Sequence, residues 1–255
     1  MSHHESAPRP YILAECTWAE IRAERRELAV LPWGATEAHN YHLPYGTDNF
    51  ETEHIAAEAA RIAWEAGARL VVLPVVPFGV QTGQLDIPFC INMNPATQAA
   101  LLDDIARTLE AQGIHKLVIL NGHGGNDFRA IVRELQPRVN VFLCTLNWYS
   151  CVDPSGFFDE PGDHGGEMET SVMQHVAYNF VRPLEQAGDG AARNLPFRAG
   201  KCADTMAEPA MDKAPPQILS TQPAAASGAC SVTPREPLER GARQLRTEPG
   251  ARVAH

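Results

Sequence analysis

The sequence predicts an α/β fold with a mainly parallel sheet covered by helices on both faces. Three observations predict it. Short apolar runs alternate with stretches whose apolar residues recur at helical spacing, four times in succession. Gly, Pro and Asn signals punctuate the boundaries. The unusual polar residues follow the ends of the apolar runs, which is where open sheets of this type bind ligands.

Residues 27–31 (ELAVL) read as a buried strand running into Pro32-Trp33-Gly34. A motif-rich loop follows. Residues 48–66 then read as a helix with Phe50, Ile55, Ala59, Ile62 and Ala63 on one face and Gly67 as the stop signal. Residues 70–75 form the next apolar run. A loop rich in Gly, Gln and Asn leads to Asn94-Pro95, a cap followed by proline at the first helical position. The helix after it carries Leu101, Leu102, Ile105 and Leu109 and stops at Gly113. Residues 116–120 (KLVIL) make a strand, followed by Asn121-Gly-His-Gly-Gly-Asn126, a helix through Ile131, Val132 and Leu135, and a strand over 139–146. After a long loop, 166–180 reads as a helix with Met168, Val172, Met173 and Val176 as its stripe. From about 185 onward neither period persists. Residues 203–255 are dominated by Ala, Pro, Arg, Ser, Thr and Gly, the composition of a loosely ordered segment. The expected organisation is one domain over 1–190 and an atypical C-terminal segment over 191–255.

The bulk numbers exclude several classes. A chain of 255 residues with 44% hydrophobic content can bury a sizeable core. A net charge of -10 argues against nucleic-acid binding and against docking to anionic membranes. The polar start is unlike a signal peptide, and the longest apolar run, over 70–80, is broken by Pro74 and Pro77, so no membrane span is expected. Six scattered cysteines without a CxxC pair suit neither a zinc ribbon nor a disulfide framework, and a reducing cytoplasm is expected.

Three constellations carry chemistry. Glu37, His39 and Asp48 lie within twelve positions in the loop after the first strand. Glu37 and His39 alternate by two, so an extended chain points them the same way. Carboxylate and imidazole suit Zn²⁺, Mn²⁺ or a similar cation. The bland alternative makes Asp48 a helix N-cap with Glu51 as its capping-box partner. His42 and His54 are weaker, and packing or surface exposure is the expected role of His54. In the second constellation, His123 sits in a glycine-rich turn, well placed as a ligand, with Asn126 as a cap for the following helix. The turn lacks the spacing and the lysine of a phosphate loop. In the third, His164 stands at the mouth of a helix as a base or proton shuttle. Glu167 is expected to be exposed, whereas Glu169 can face the cleft. No GxSxG is present, and Cys151 is a poor candidate nucleophile.

Together, Leu31-Pro-Trp-Gly-Ala-Thr-Glu37-Ala-His39 through Asp48, Asn121-Gly-His123-Gly-Gly-Asn126, and His164-Gly-Gly-Glu-Met-Glu169-Thr-Ser resemble the creatininase family over roughly residues 20–190. The resemblance implies a three-layer α/β/α fold, a paired site for two divalent cations (Zn²⁺ or Mn²⁺), and a homo-oligomer, often a hexamer. By position, Glu37, His39, Asp48 and His123 look like metal ligands, with Asp48 as the bridge. His164 looks like the active-site histidine. Creatininase itself carries a Glu ligand two places after the glycine-block His, where this chain has Gly125. The second ion then needs another carboxylate, and Glu169 is the candidate. The implied function is hydrolysis of an amide-type C–N bond, in a cyclic amide or formamide, through a metal-bound water. The alternatives are a C–C hydrolase opening a cyclic diketone, or an inactive metal-binding subunit. Trp148, Tyr149 and the 78–94 loop are candidate pocket walls. Family members usually end in an amphipathic helix. The Pro-, Arg- and Ala-rich end of this chain instead suits a shifted reading frame in a GC-rich gene, a reading that fails if translating the coding DNA in all frames yields no family-like tail.

Overall fold

The computed structural model describes residues 7–159, 162 and 164–188. The expected C-terminal segment 191–255 lies outside them. Four strands form one sheet: β1 (Leu28–Trp33), β2 (Leu70–Val72), β3 (Lys116–Asn121) and β4 (Phe142–Asn147). Their order is β2-β1-β3-β4 and every pairing is parallel. The chain steps from β1 to β2 on one side, then crosses back to β3 on the other. The crevice between β1 and β3 is therefore the topological switch point. Trp33 is in register with Asn121, and Asn121 with Asn147, so β1, β3 and β4 end level.

Helices cover both faces, giving three layers. The helices are α1 (Trp18–Ala23), α2 (Thr47–Glu65), α3 (Pro95–Ala111), α4 (Phe128–Leu135) and α5 (Glu167–Val176). Alternation along β1 divides the core. Ala29, Leu31 and Trp33 join Leu117 and Ile119 of β3 beneath Leu102 and Ala106 of α3 and Phe128 and Ile131 of α4. On the other face, Ala56 and Ala60 of α2 pack on Leu70, Val72 and Leu120. Helix α5 packs against α2. Among the described residues no helix is long and apolar enough to cross a membrane.

Several local expectations change. Strand β1 runs on to Trp33, because Pro32 fills a sheet position without breaking its parallel neighbours. Of the apolar face expected for α2, Ile55 and Ala63 pack at the edge of the core, but the fully buried face is a different one. It is Thr47, Asp48, Glu51, Thr52, Ala56, Ala57 and Ala60, while Ile62 is 59% exposed. Small alanines let this helix lie close to the sheet, and its polar start is turned inward. Gly46 is the N-cap of α2, so Asp48 stands in the first turn and forms no capping box with Glu51. Asp127, not Asn126, caps α4 by accepting from the Arg129 N–H. Gly67 and Gly113 close α2 and α3 with φ of 95° and 76°, a conformation that suits glycine. The helix expected over 166–180 ends at Val176, and a short 3₁₀ turn follows. Glu167 is half-buried, because its carboxylate accepts from the Asp159 N–H.

Candidate metal centre

The loops leaving β1 and β3 and the first turns of α2 and α5 converge above the switch point. They bring together Glu37, His39, Asp48, His123, His164 and Glu169, every site residue expected from the sequence. Glu37, His39 and Asp48 are buried, each at 1% exposure or less, and His123 is 5% exposed.

The two oxygens of Asp48 face different neighbours. Oδ1 lies 2.9 Å from His39 Nε2, and Oδ2 lies 3.1 Å from His123 Nδ1. His123 Nδ1 is also 2.8 Å from Glu37 Oε1, and His39 Nε2 is 3.8 Å from Glu169 Oε1. Two compact donor sets result, Glu37–Asp48–His123 and His39–Asp48–Glu169, and Asp48 belongs to both. A third grouping joins Glu37 and His39 to His164.

Backbone carbonyls fix the imidazoles. His123 Nε2–H donates to the Val80 carbonyl at 2.9 Å, and His164 Nε2–H to the Ala38 carbonyl at 2.6 Å. His39 Nδ1–H faces the Glu37 carbonyl at 3.3 Å. A carbonyl oxygen only accepts, so each of these nitrogens carries the proton. The opposite nitrogen of each ring is left for the cluster, the arrangement in which a backbone partner orients a metal-binding imidazole. His164 also stacks on His39, with ring centroids 4.1 Å apart.

Electrostatics show what the cluster lacks. Burial opposes a charged His39, but Asp48, Glu169 and Glu37 outweigh it and raise its pKa to about 10. His123 is likewise raised well above its ordinary value, where burial is outweighed by Glu37 and Asp48. Burial pushes Asp48 up, but His39 and His123 hold it below the usual carboxylate range. Protons on the two imidazoles therefore supply positive charge to a site of clustered carboxylates. Glu37 Oε1 and Asp48 Oδ2, both buried, face only the imidazole nitrogens of the cluster, His123 Nδ1 at 2.8 and 3.1 Å. Carboxylate oxygens turned inward onto oriented imidazoles fit divalent cations.

The glycine-rich turn is closed to side chains at one place. A Cβ on Gly125 would collide with the Val80 carbonyl oxygen and stand 2.5 Å from His123 Nε2. The carboxylate beside His39 comes instead from Glu169, whose other oxygen accepts from the Gly165 N–H at the mouth of α5.

Three supporting groups have partners that the sequence spacing does not predict. Gln84 Nε2 donates to Glu37 Oε2 at 2.8 Å. Asn126 ties Val80, Gln98 and Asn121 together, accepting from the first two and donating to Asn121 Oδ1. Glu51, fully buried on α2, feels the charges of Glu169, Asp48 and His39. Its carboxyl is pushed well up, first by burial and then by the two carboxylates. The 47-residue separation of Gln84 from Glu37 left no local signal, whereas Glu51 was visible as the position three after Asp48. His42 is a packing residue with Nε2 2.8 Å from Thr170 Oγ1, and His54 packs edge-on against His175.

A cleft of about 1150 Å³ opens over the cluster, lined by Glu37, Asp48, His123, His164, Glu169 and Tyr149 among others. The 78–94 loop does not line it, and Trp148 packs on the core beside α2 instead. Cys151 reaches the rim, exposed, with its thiol facing the Asn147 carbonyl.

A family model, Creatininase (creatinine amidohydrolase), matches residues 14–236. The chain belongs to the creatininase family. Among its relatives in that family is the mycofactocin precursor peptide peptidase of Mycolicibacterium smegmatis, 29% identical over 60% of each chain. The creatinine amidohydrolase of Pseudomonas putida is 28% identical, over 63% of this chain and 70% of the relative. A 3-dehydro-scyllo-inosose hydrolase of Thermotoga maritima is 24% identical, over 59% and 50%. The chain spans 60% of the length of the mycofactocin peptidase. Among solved structures, a presumptive creatinine amidohydrolase of Bacteroides fragilis superposes with a TM-score of 0.70 at 40% identity, covering 81% of this chain and 80% of that one. Creatininase in an Mn form and a creatininase mutant in a Zn-Zn form superpose at 0.57 and 0.58, with 25% and 26% identity, each over 73% of this chain and 80% of the other.

Proposed function

We propose that this creatininase-family chain is a hydrolase that uses two divalent cations, Zn²⁺ or Mn²⁺, to cleave an amide-type C–N bond in a small molecule, a cyclic amide or a formamide. The observation that carries the reading is Asp48, whose two oxygens face the two separate histidine–carboxylate sets. Glu37 and His123 would hold one ion, His39 and Glu169 the other, and Asp48 both. Such a pair supplies Lewis acidity for the substrate carbonyl and a water acidic enough to attack near neutral pH.

The chain's own groups then have defined tasks. Gln84, through its hydrogen bond to Oε2, holds the Glu37 carboxylate in one orientation. The Val80 and Ala38 carbonyls hold the His123 and His164 rings. His164 Nδ1, 3.9 Å from Glu37 Oε1 and free of the backbone, would pass a proton to the leaving nitrogen. His164→Ala is accordingly expected to keep both cations and lose about 10²- to 10⁴-fold in turnover, the usual contribution of general acid–base catalysis. Cation loss in that variant, measured by elemental mass spectrometry, would make His164 a ligand instead.

A second reading, C–C hydrolysis of a cyclic diketone on the same centre, is favoured by the likeness to the inosose hydrolase, named for a ring ketone. Turnover of a panel of cyclic amides, formamides and cyclic diketones by the cation-loaded protein separates the two. Hydrolysis of an amide member supports the first reading, and of a diketone alone the second. A loaded protein that hydrolyses no member favours an inactive metal-binding subunit.

A further inference from the structure

Buried carboxylate oxygens without partners are costly, and they mark places where something is missing. Among the described residues, apart from the half-exposed Asp103, such oxygens belong to three side chains: Glu37, Asp48 and Glu51. The first two belong to the donor sets, where both oxygens face His123 Nδ1. Glu51 is the more extreme case, because both of its oxygens lack a hydrogen bond and its side chain is fully buried.

Local structure offers no other reason for an acid here. Glu51 lies beyond the first turn of α2, where the helix dipole would favour it, and it forms no capping box. No salt bridge among the described residues reaches it. Its position three after Asp48 puts it on the same, buried face of α2. Its charge interacts with those of Glu169, Asp48 and His39, the members of a single donor set. Gly125, on the β3 side, has no room for a carboxylate.

We infer that Glu51 is a further metal-binding carboxylate, acting on the ion held by His39, Asp48 and Glu169. The inference rests on the two-cation reading above. It makes Glu51 a residue that costs the metal-free fold stability and is compensated only when the cation is present.

The test is a competition titration of metal-free full-length protein with Zn²⁺ or Mn²⁺ against a chromogenic chelator, beside thermal unfolding of the metal-free form. Glu51→Gln keeps the shape and removes the charge. The expected result is a metal-free melting temperature equal to or above that of the wild type, with at least about a tenfold loss of affinity for one of two ions. Glu51→Asp, which keeps the charge but withdraws it by one methylene, is expected to lie between wild type and Glu51→Gln in affinity, and it serves if the amide variant folds poorly. Two ions bound by Glu51→Gln with wild-type affinity would overturn this inference and leave the two-cation reading intact. A wild type that binds no ion would overturn both.

Discussion

Asp48→Ala is expected to remove both cations at once and to lower turnover at least about a thousandfold, the scale of losing a central catalytic group. The reason is geometric. Oδ1 faces His39 and Oδ2 faces His123, so truncation takes a ligand from each set. Removing Glu169 or Glu37 instead strips one set and leaves the other its own carboxylate. The position is helical and alanine suits a helix, so far-UV circular dichroism of the variant should match the wild type. Two cations per chain retained by Asp48→Ala would show that the sets do not share this residue.

Gly125→Glu is the second large effect, and its sign is the opposite of what motif comparison suggests. By resemblance, creatininase places a ligand Glu at this position, so the substitution looks like a restoration. Here the new Cβ would strike the Val80 carbonyl oxygen and approach His123 Nε2, the two ends of the hydrogen bond that orients the His123 ring. Overpacking of this kind costs about 1–3 kcal/mol, or roughly 2–12 °C in melting temperature for a chain of this size. A displaced His123 also weakens the set it shares with Glu37 and Asp48. We expect a lower melting point and fewer cations per chain than in the wild type, read by calorimetry and elemental mass spectrometry. Tighter cation binding in this variant would mean that the turn yields and that Gly125 is a lost ligand rather than a packed backbone.

The site was more legible than helix α2, which carries Asp48. Glu37, His39 and His123 follow strands whose apolar runs are unmistakable, and loop residues at strand ends can face only one crevice. The apolar periodicity of α2 does not point to its fully buried face. Ile62 is exposed, while Ala56, Ala57 and Ala60 pack on the sheet and Asp48, Glu51 and Thr52 turn inward. A helix that turns buried acids toward its neighbours breaks the apolar pattern on its inward face. The capping alternative for Asp48 fails because Gly46 takes the N-cap place and the Asp48 carboxylate faces two histidines. Gln84 and Asn126 act through partners 47 and 46 residues away, and local spacing holds no trace of such pairs.

A paired cation site is tested most directly by the cation content of gel-filtered wild-type protein, measured by elemental mass spectrometry after reconstitution with Zn²⁺ or Mn²⁺. About two equivalents per chain are expected, falling in His123→Ala, which removes a donor from one of the two sets. One equivalent in the wild type would contradict the paired site, and none would contradict the metal centre altogether.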